Sequence, residues 1–274
     1  MTKTYTIGVA GPFSGPRAAY GEMLKRAAGL SAGDFSLIFE DDCADTGQAR
    51  AAARRLVSAG VDAVIGHFNS DCARVAGSVY RAAGIPFLMP ASTASNLVAE
   101  TGGYRICAPD DAQVDALAAW MRQRGLRMGK IWCDGSPYAD RLQQLIQQRC
   151  PMVEPGREPQ LQACLGAHHN VALELQEGPQ TASIVFVPDD CAIAEFAELA
   201  AGTRADLLCA VATPDFETCV TLAMTLLHAA ADSGLPLAAA LQQMPSIEQG
   251  QYRYSGFRLD EMHFGATLEA GALQ

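Results

Sequence analysis

Short apolar runs alternate along this chain with longer stretches in which apolar residues recur at helical spacing. The pattern is clearest between residues 61 and 93. An apolar run at 63–65 leads through Gly66 into a helix beginning near Ser70, and a second run at 86–89 opens into the loop Pro90, Ala91, Ser92, Thr93. Apolar runs of this length, bounded by turn residues and separated by amphipathic helices, predict the buried strands of a doubly wound parallel sheet in an α/β fold. The same alternation predicts strands at 5–10 and 35–39 around a helix at 23–32. In the next helix Ala49, Ala52, Ala53, Leu56 and Val57 face inward and Arg50, Arg54 and Arg55 outward. Further strands fall at 104–107, 130–133, 183–187 and 207–211. Val114, Leu117, Ala118 and Met121 form one buried helical stripe, and Cys219, Leu222, Ala223, Leu226, Leu227 and Ala230 form another. Residues 151–180 are the least periodic, with a short strand near Met152 and mixed helix after Pro159. A helix at 234–244, then short strands at 252–262 and in the tail, complete the pattern.

In such a sheet the loops at the carboxyl ends of the strands line the ligand crevice. Residues 66–70 and 91–93 are two such loops, from consecutive strands. Ser70, Ser92 and Thr93 bring hydroxyls, and the helix N-termini beside them bring backbone N–H groups, a combination suited to a carboxylate or other small anion. Taken singly each hydroxyl reads first as an N-cap, and the two roles are compatible. Phe68, Asn69 and Ala91 belong to the same loops. Ser14 and Tyr20 lie in the Gly- and Pro-rich segment after the first strand, where Tyr20 either reaches the cleft or packs the start of a helix. Asp190, after the strand at 183–187, is placed either to meet an ammonium group or to cap the helix at 192–201.

Other clusters fail the spacing their chemistry needs. The acidic run Glu40 to Asp45 has Thr46 where a calcium loop needs its turn glycine and Ala52 where it needs its bidentate glutamate, so it reads as a solvated strand-end loop. Cys164, His168 and His169 lack a fourth donor and two of them are adjacent, so a surface loop is expected there and no metal. No cofactor is expected. A net charge of −10 with no basic stripe argues against nucleic acid and anionic membranes. With 49% hydrophobic and 18% charged residues the chain is a packed globular protein. Nine scattered cysteines, an odd number, do not form a disulfide framework. Together with a start that lacks an apolar leader, they predict a reduced, cytoplasmic compartment; a removed leader would place the protein in the periplasm. No run of 18 apolar residues predicts membrane insertion.

Five segments, IGVAGPFSGPRAAYG, FEDDCADTGQARAAARRLV, VIGHFNSDCA, GIPFLMPASTA and YRICAPDDAQ, resemble in order and spacing the type I periplasmic binding proteins. The nearest branches are the leucine/isoleucine/valine-binding proteins of ABC transporters and the cytoplasmic amide sensors. The resemblance is strong over residues 5–110, fair to about 211 and weak beyond. It implies two doubly wound lobes, 1–108 plus 213–245 and 109–212 plus 246–274. Three crossings would join them, near 108–111, 211–215 and 244–251. The implied function is binding of a small polar molecule, an amino acid or a derivative such as an amide, by closure of the lobes for uptake or sensing. A transporter or regulator would be the protein partner.

The resemblance also places Tyr20 in the cleft and Tyr138 over the ligand from the second lobe. Relatives bridge the loops after the second and third strands with a disulfide; here Ala44 and Asn69 stand at those positions, with Cys43 and Cys72 nearby. The chain is shorter than the family between about 202 and 213. Relatives carry there an acidic grip for the ligand ammonium, a role left here to Asp190, Asp189 or Asp215. Two alternatives stand beside this reading. One is a cofactor-independent amino-acid racemase using Cys72 and Cys191. The other is a binding-protein scaffold kept for interaction without a ligand.

Overall fold

The computed structural model describes residues 4–179, 181–203 and 205–262. In chain order it forms β1 (Thr6–Gly11), α1 (Ala18–Leu30), β2 (Ser36–Asp41), α2 (Thr46–Ser58), β3 (Ala63–Gly66), α3 (Ser70–Ala83), β4 (Phe87–Met89), α4 (Leu97–Thr101) and β5 (Tyr104–Arg105). There follow α5 (Asp110–Arg124), β6 (Met128–Cys133), α6 (Pro137–Arg149), β7 (Leu161–Leu165), α7 (His168–Glu177), β8 (Ile184–Val187), α8 (Ala194–Leu199) and β9 (Asp206–Thr213). The last elements are α9 (Phe216–Asp232), α10 (Leu237–Gln242), β10 (Ile247–Glu248), β11 (Gln251–Tyr252) and β12 (Gly256–Met262). The chain divides into two α/β units: residues up to Pro109 with Thr213–Gly256, and Asp110–Ala212 with the segment from Phe257.

The first unit is built on a seven-stranded sheet in the order β10-β11-β5-β4-β3-β1-β2. β1 pairs in parallel with both β2 and β3, so the winding reverses at β1. That reversal puts α1, with α9 and α10, on one face and α2, α3 and α4 on the other. Val9, Leu24, Met224 and Leu241 share one core with Ile7 and Ile65, while Leu56, Val64, Tyr80 and Leu97 share the second. Alternate residues of the strands feed opposite cores, as a sheet buried on both faces requires. At the reversal Gly66 has a φ of 139°, and a Cβ there would stand 1.9 Å from the Ala10 carbonyl oxygen. Only glycine lets β3 end this close to β1.

The second unit has the sheet order β12-β9-β8-β7-β6. Beyond β6 an isolated parallel bridge joins Met128 to Met152, so winding also turns at the first strand of this sheet. Leu161, Ala163 and Leu165 of β7 pack with α5 and α6, while Cys164 packs toward α7 and α8.

Several expectations change. In the stretch 151–180, where mixed helix was expected after Pro159, the chain first forms β7, a fully buried strand. Cys164 and His168 are therefore interior residues, not part of a surface loop. The acidic run is not a solvated loop throughout: Glu40 and Asp41 finish β2, and Asp42 is fully buried. β10 and β11, expected with the second lobe, extend the first sheet because Gln251 pairs with Arg105 of β5. The third crossing accordingly falls at Gly256, beyond the expected 244–251. The tail strands expected after residue 262 lie outside the described residues.

Two glycine substitutions test this account by chemical denaturation. Gly66→Ala should cost about 2 kcal/mol or more, since backbone must move. Gly29→Ala, in an exposed turn of α1 with nothing within 4 Å of the new methyl group, should stabilise by about 0.5–1 kcal/mol.

Candidate functional site

The carboxyl ends of β1 and β3 flank the winding reversal of the first unit, the place where doubly wound sheets open to ligands. Two long helices, α1 and α3, start there, and like the short α4, α8 and α10 they lack the side-chain cap that other long helices carry. α2, α6 and α9 are capped by the side chains of Asp45, Ser136 and Asp215, each accepting a first-turn N–H. α7 is served by carboxylates from elsewhere: Asp190 Oδ2 accepts the His168 N–H at 2.7 Å and Asp134 Oδ2 the Ala167 N–H at 2.9 Å. Neither α1 nor α3 receives a side-chain cap from its own N-cap residue. Asn69 holds the N-cap position of α3, and its Oδ1 is buried without a hydrogen-bond partner among the described residues. A 14-residue helix thus presents its positive end at the reversal.

Around this end the residues predicted from sequence divide into two sets. Ser70 is buried, and its Oγ accepts the Ala94 N–H at 3.2 Å, which leaves the hydroxyl hydrogen to donate outward. Thr93 is buried, and its hydroxyl has no hydrogen bond among the described residues. Ala91 is half-buried in the same loop. Phe68 stacks on Tyr20 with ring centroids 4.0 Å apart, and Phe216 meets both edge-on. The Arg17 guanidinium lies 5.5 Å from the Phe68 centroid and 5.9 Å from that of Tyr20, within cation–π range. The three rings and Arg17 form one cluster.

Others are committed elsewhere. The Ser92 hydroxyl donates to the His67 carbonyl at 2.7 Å, joining two loops. Ser14 is exposed beside Cys43, 3.4 Å away. Asp215 caps α9, and Asp190 caps α7 rather than the helix that follows it in sequence. In the second unit Tyr138 gives its hydroxyl hydrogen to Asp189, which also accepts from Gln113 at 3.0 Å. Burial drives the Asp189 carboxyl up to about 7; the Tyr138 and Gln113 hydrogen bonds offset this only in part, and the charges of Asp110 and Asp190 add to it. Asp134 shows the opposite balance. Burial raises its carboxyl, but hydrogen bonds from Ser136, Asn170 and Ala167 outweigh this and hold it low.

Sequence reasoning missed Arg17, Phe216 and a buried network behind the loops. His67 Nδ1 lies 2.6 Å from Asp42 Oδ2, and Nε2 lies 3.1 Å from the Tyr80 hydroxyl. Every heteroatom is satisfied when Nδ1–H donates to Asp42 and Nε2 accepts from Tyr80. Asp42 Oδ1 also accepts the Ala44 N–H at 2.9 Å. With Ser92 on the His67 carbonyl, the loops after β2, β3 and β4 are tied together by groups wholly inside the protein. The interval of 25 residues from Asp42 to His67 carries no local signal.

The cysteines of the enzymatic alternative are buried, a setting that disfavours the thiolate its chemistry needs. All nine are free thiols, Cys72 and Cys191 are buried in different units, and burial pushes the Cys72 thiol far up, with Asp42, Asp45 and Asp71 adding to this. Among the described residues no group of three or more His, Cys, Asp or Glu could hold a metal ion, and no helix is long and apolar enough to cross a membrane.

Two measurements check these electrostatics. Tyr80→Phe leaves buried His67 Nε2 unpaired and should lower unfolding free energy by about 1–3 kcal/mol in a denaturant titration. Asp189 has a folded pKa of about 7 against 3.8 when unfolded, so the folded state holds the extra proton between those values. Its contribution to stability is therefore present at low pH and lost as pH rises through about 7. Calorimetric Tm should fall more between pH 5 and pH 8 for the natural protein than for Asp189→Asn.

The sequence profile described as periplasmic binding protein matches residues 4–140, half of the chain. Leu/Ile/Val-binding protein homolog 2 of Brucella abortus is 31% identical over 120 residues, covering 39% of this chain. The matched stretch spans about a third (32%) of that relative's length. Among solved structures, a leucine binding protein from Thermotoga maritima superposes with a TM-score of 0.81 at 15% identity, covering 95% of this chain and 98% of the other. The isoleucine complex of a branched-chain amino acid transporter substrate binding protein from Streptococcus pneumoniae gives 0.79 at 14% identity, covering 95% and 100%. The matched profile and the shared two-unit α/β fold place this chain in the periplasmic binding protein family.

Proposed function

We propose that this protein binds an amino acid or a close derivative through the uncapped start of α3. The observation that carries the reading is the buried Asn69 Oδ1 at the N-cap of α3, which has no hydrogen-bond partner among the described residues. α2, α6, α7 and α9 have side-chain acceptors supplied from within the protein, whereas α3, at the winding reversal, has buried Asn69 Oδ1 unpaired beside it. A ligand carboxylate there accepts from the first-turn backbone N–H groups and from the Ser70 and Thr93 hydroxyls. Asn69 meets it through its amide nitrogen or turns its oxygen to a ligand donor. Phe68 and Tyr20, held by Phe216 and Arg17, provide the wall for an apolar ligand side chain. The names of the relatives, which specify leucine, isoleucine and valine, support a branched-chain amino acid as the first probe.

In the second unit Tyr138 and Asp189 are the proposed partners of the ligand ammonium. Asp189 takes the role first given to Asp190, since Asp190 is spent on α7. Closure of the two units over the ligand would exclude water and strengthen both contacts, and the bound state would then serve a transporter or a regulator. The odd, scattered set of nine cysteines fits a reducing compartment, where binding would serve sensing.

Calorimetry against L-leucine and a panel of amino acids tests the site. Ser70→Ala and Thr93→Val should each weaken binding about ten- to a hundredfold, equivalent to about 1.5–3 kcal/mol for a hydrogen bond to a charged group. Tyr138→Ala should act mainly on the dissociation rate. Hydroxyl variants that bind like the natural protein would move the carboxylate elsewhere. No heat and no thermal shift with any member of the panel would favour the ligand-free scaffold.

A further inference from the structure

The first unit contains a buried arginine that the proposed binding site does not use. Arg105 is 5% exposed and lies in β5, and its Nη1 donates to the carbonyl of Ala94 at 2.7 Å and to that of Thr93 at 3.5 Å. These carbonyls belong to the loop that also offers the Thr93 hydroxyl and the Ala94 N–H bound by Ser70. On its other side Arg105 Nε donates to Gln251 Oε1 at 2.5 Å. The Gln251 amide nitrogen in turn faces the Cys107 carbonyl at 2.9 Å, the Tyr252 carbonyl at 3.1 Å and the Ser255 hydroxyl at 3.0 Å.

Cys107 lies two residues before the first unit ends at Pro109, and Ser255 lies one residue before the chain leaves it again at Gly256. One arginine and one glutamine therefore link the loop of the proposed carboxylate site to two of the three segments that lead to the second unit. The backbone reinforces the link, since the Arg105 N–H donates to the Gly250 carbonyl at 2.8 Å. Charged donors on carbonyls in a buried setting are the strong kind of hydrogen bond, and a chain of them has few alternative arrangements.

We propose that Arg105 and Gln251 are positioning residues that couple the Thr93–Ala94 loop to the first and third linking segments, so that occupancy of the loop and the setting of the linkers bias one another. The significance for ligand binding rests on the function proposed above, but the coupling itself is measurable without a ligand. Coupling of this kind is reciprocal.

The two arms of Gln251 can be separated. Gln251→Glu keeps the acceptor for Arg105 and removes the amide donors to Cys107 and Tyr252. Gln251→Met removes both. Gln251 is partly exposed in an open depression of about 370 Å³ with Tyr252, Arg253 and Ser255, so a carboxylate there stays hydrated. The measurement is amide hydrogen exchange on the full chain without ligand, read by mass spectrometry at 93–97, 106–109 and 252–256. Gln251→Met should speed exchange in all three segments, by about tenfold at 93–97. Gln251→Glu should speed it at 106–109 and 252–256 and restore natural protection at 93–97.

A purely local role for Gln251 would leave 93–97 unchanged in both variants, and that result overturns the proposal. So does equal loss of protection at 93–97 in both, which would take Arg105 out of the path. L-leucine calorimetry on the same variants then reads the consequence. Gln251→Met should bind at least threefold more weakly than Gln251→Glu. Absence of leucine binding in the natural protein counts against the functional reading and leaves the exchange result to decide the coupling.

Discussion

The groups at the start of a buried helix need partners, and in this protein that requirement organises the ends of both sheets. The first N–H groups of a helix have no acceptor within it. α2, α6 and α9 answer with the residue before the helix, and α7 with carboxylates from two other loops. In the second unit the turning point of the sheet is thereby closed by Asp134, which sits where a bound anion would sit. The first unit leaves its own turning point open. Asn69 does not cap α3, and the Ser70 hydroxyl is held as an acceptor by Ala94.

Keeping such a place open requires rigid surroundings, because an unsatisfied helix end is otherwise relieved by local rearrangement. The rigidity comes from below. Gly66 lets β3 end against the Ala10 carbonyl, and Asp42, His67, Tyr80 and Ser92 lock the neighbouring loops with interior hydrogen bonds. Leaving one of these groups unpaired costs about 1–3 kcal/mol, which is large beside the net 5–15 kcal/mol of a typical domain. Arg105 holds the remaining loop by the carbonyls of Thr93 and Ala94.

Much of this was legible in the sequence, for identifiable reasons. β1, β3 and β4 are unbroken apolar runs, and α2 and α9 carry clean stripes, so periodicity was sufficient. Ser70 and Thr93 follow from the rule that loops at strand ends line the crevice. β7 was not legible, because Gln162 breaks the run and the flanking Pro159 and Gly166 read as loop. Gln162 is tolerated in the sheet only because the N–H and hydroxyl of Thr181 both donate to it at 2.8 Å. The solvated reading of the acidic run failed at Asp42 because its partner, His67, is remote in sequence. Asp189 and Asp190 are chemically identical neighbours. A single 3-10 turn, Asp189–Cys191, sends one toward Tyr138 and the other to α7, and only three-dimensional structure shows which.

The central claim is that the open start of α3 receives a carboxylate. Amide chemical shifts of the isotope-labelled protein test it directly, comparing titration with L-leucine and with its amide. The account predicts large downfield shifts of the Ser70, Asp71 and Cys72 amides with leucine. With leucinamide, which lacks the negative charge, those shifts should be much smaller at equal saturation. Equal shifts with both compounds, or leucine-induced shifts confined to residues away from 69–72 and 91–94, would contradict it.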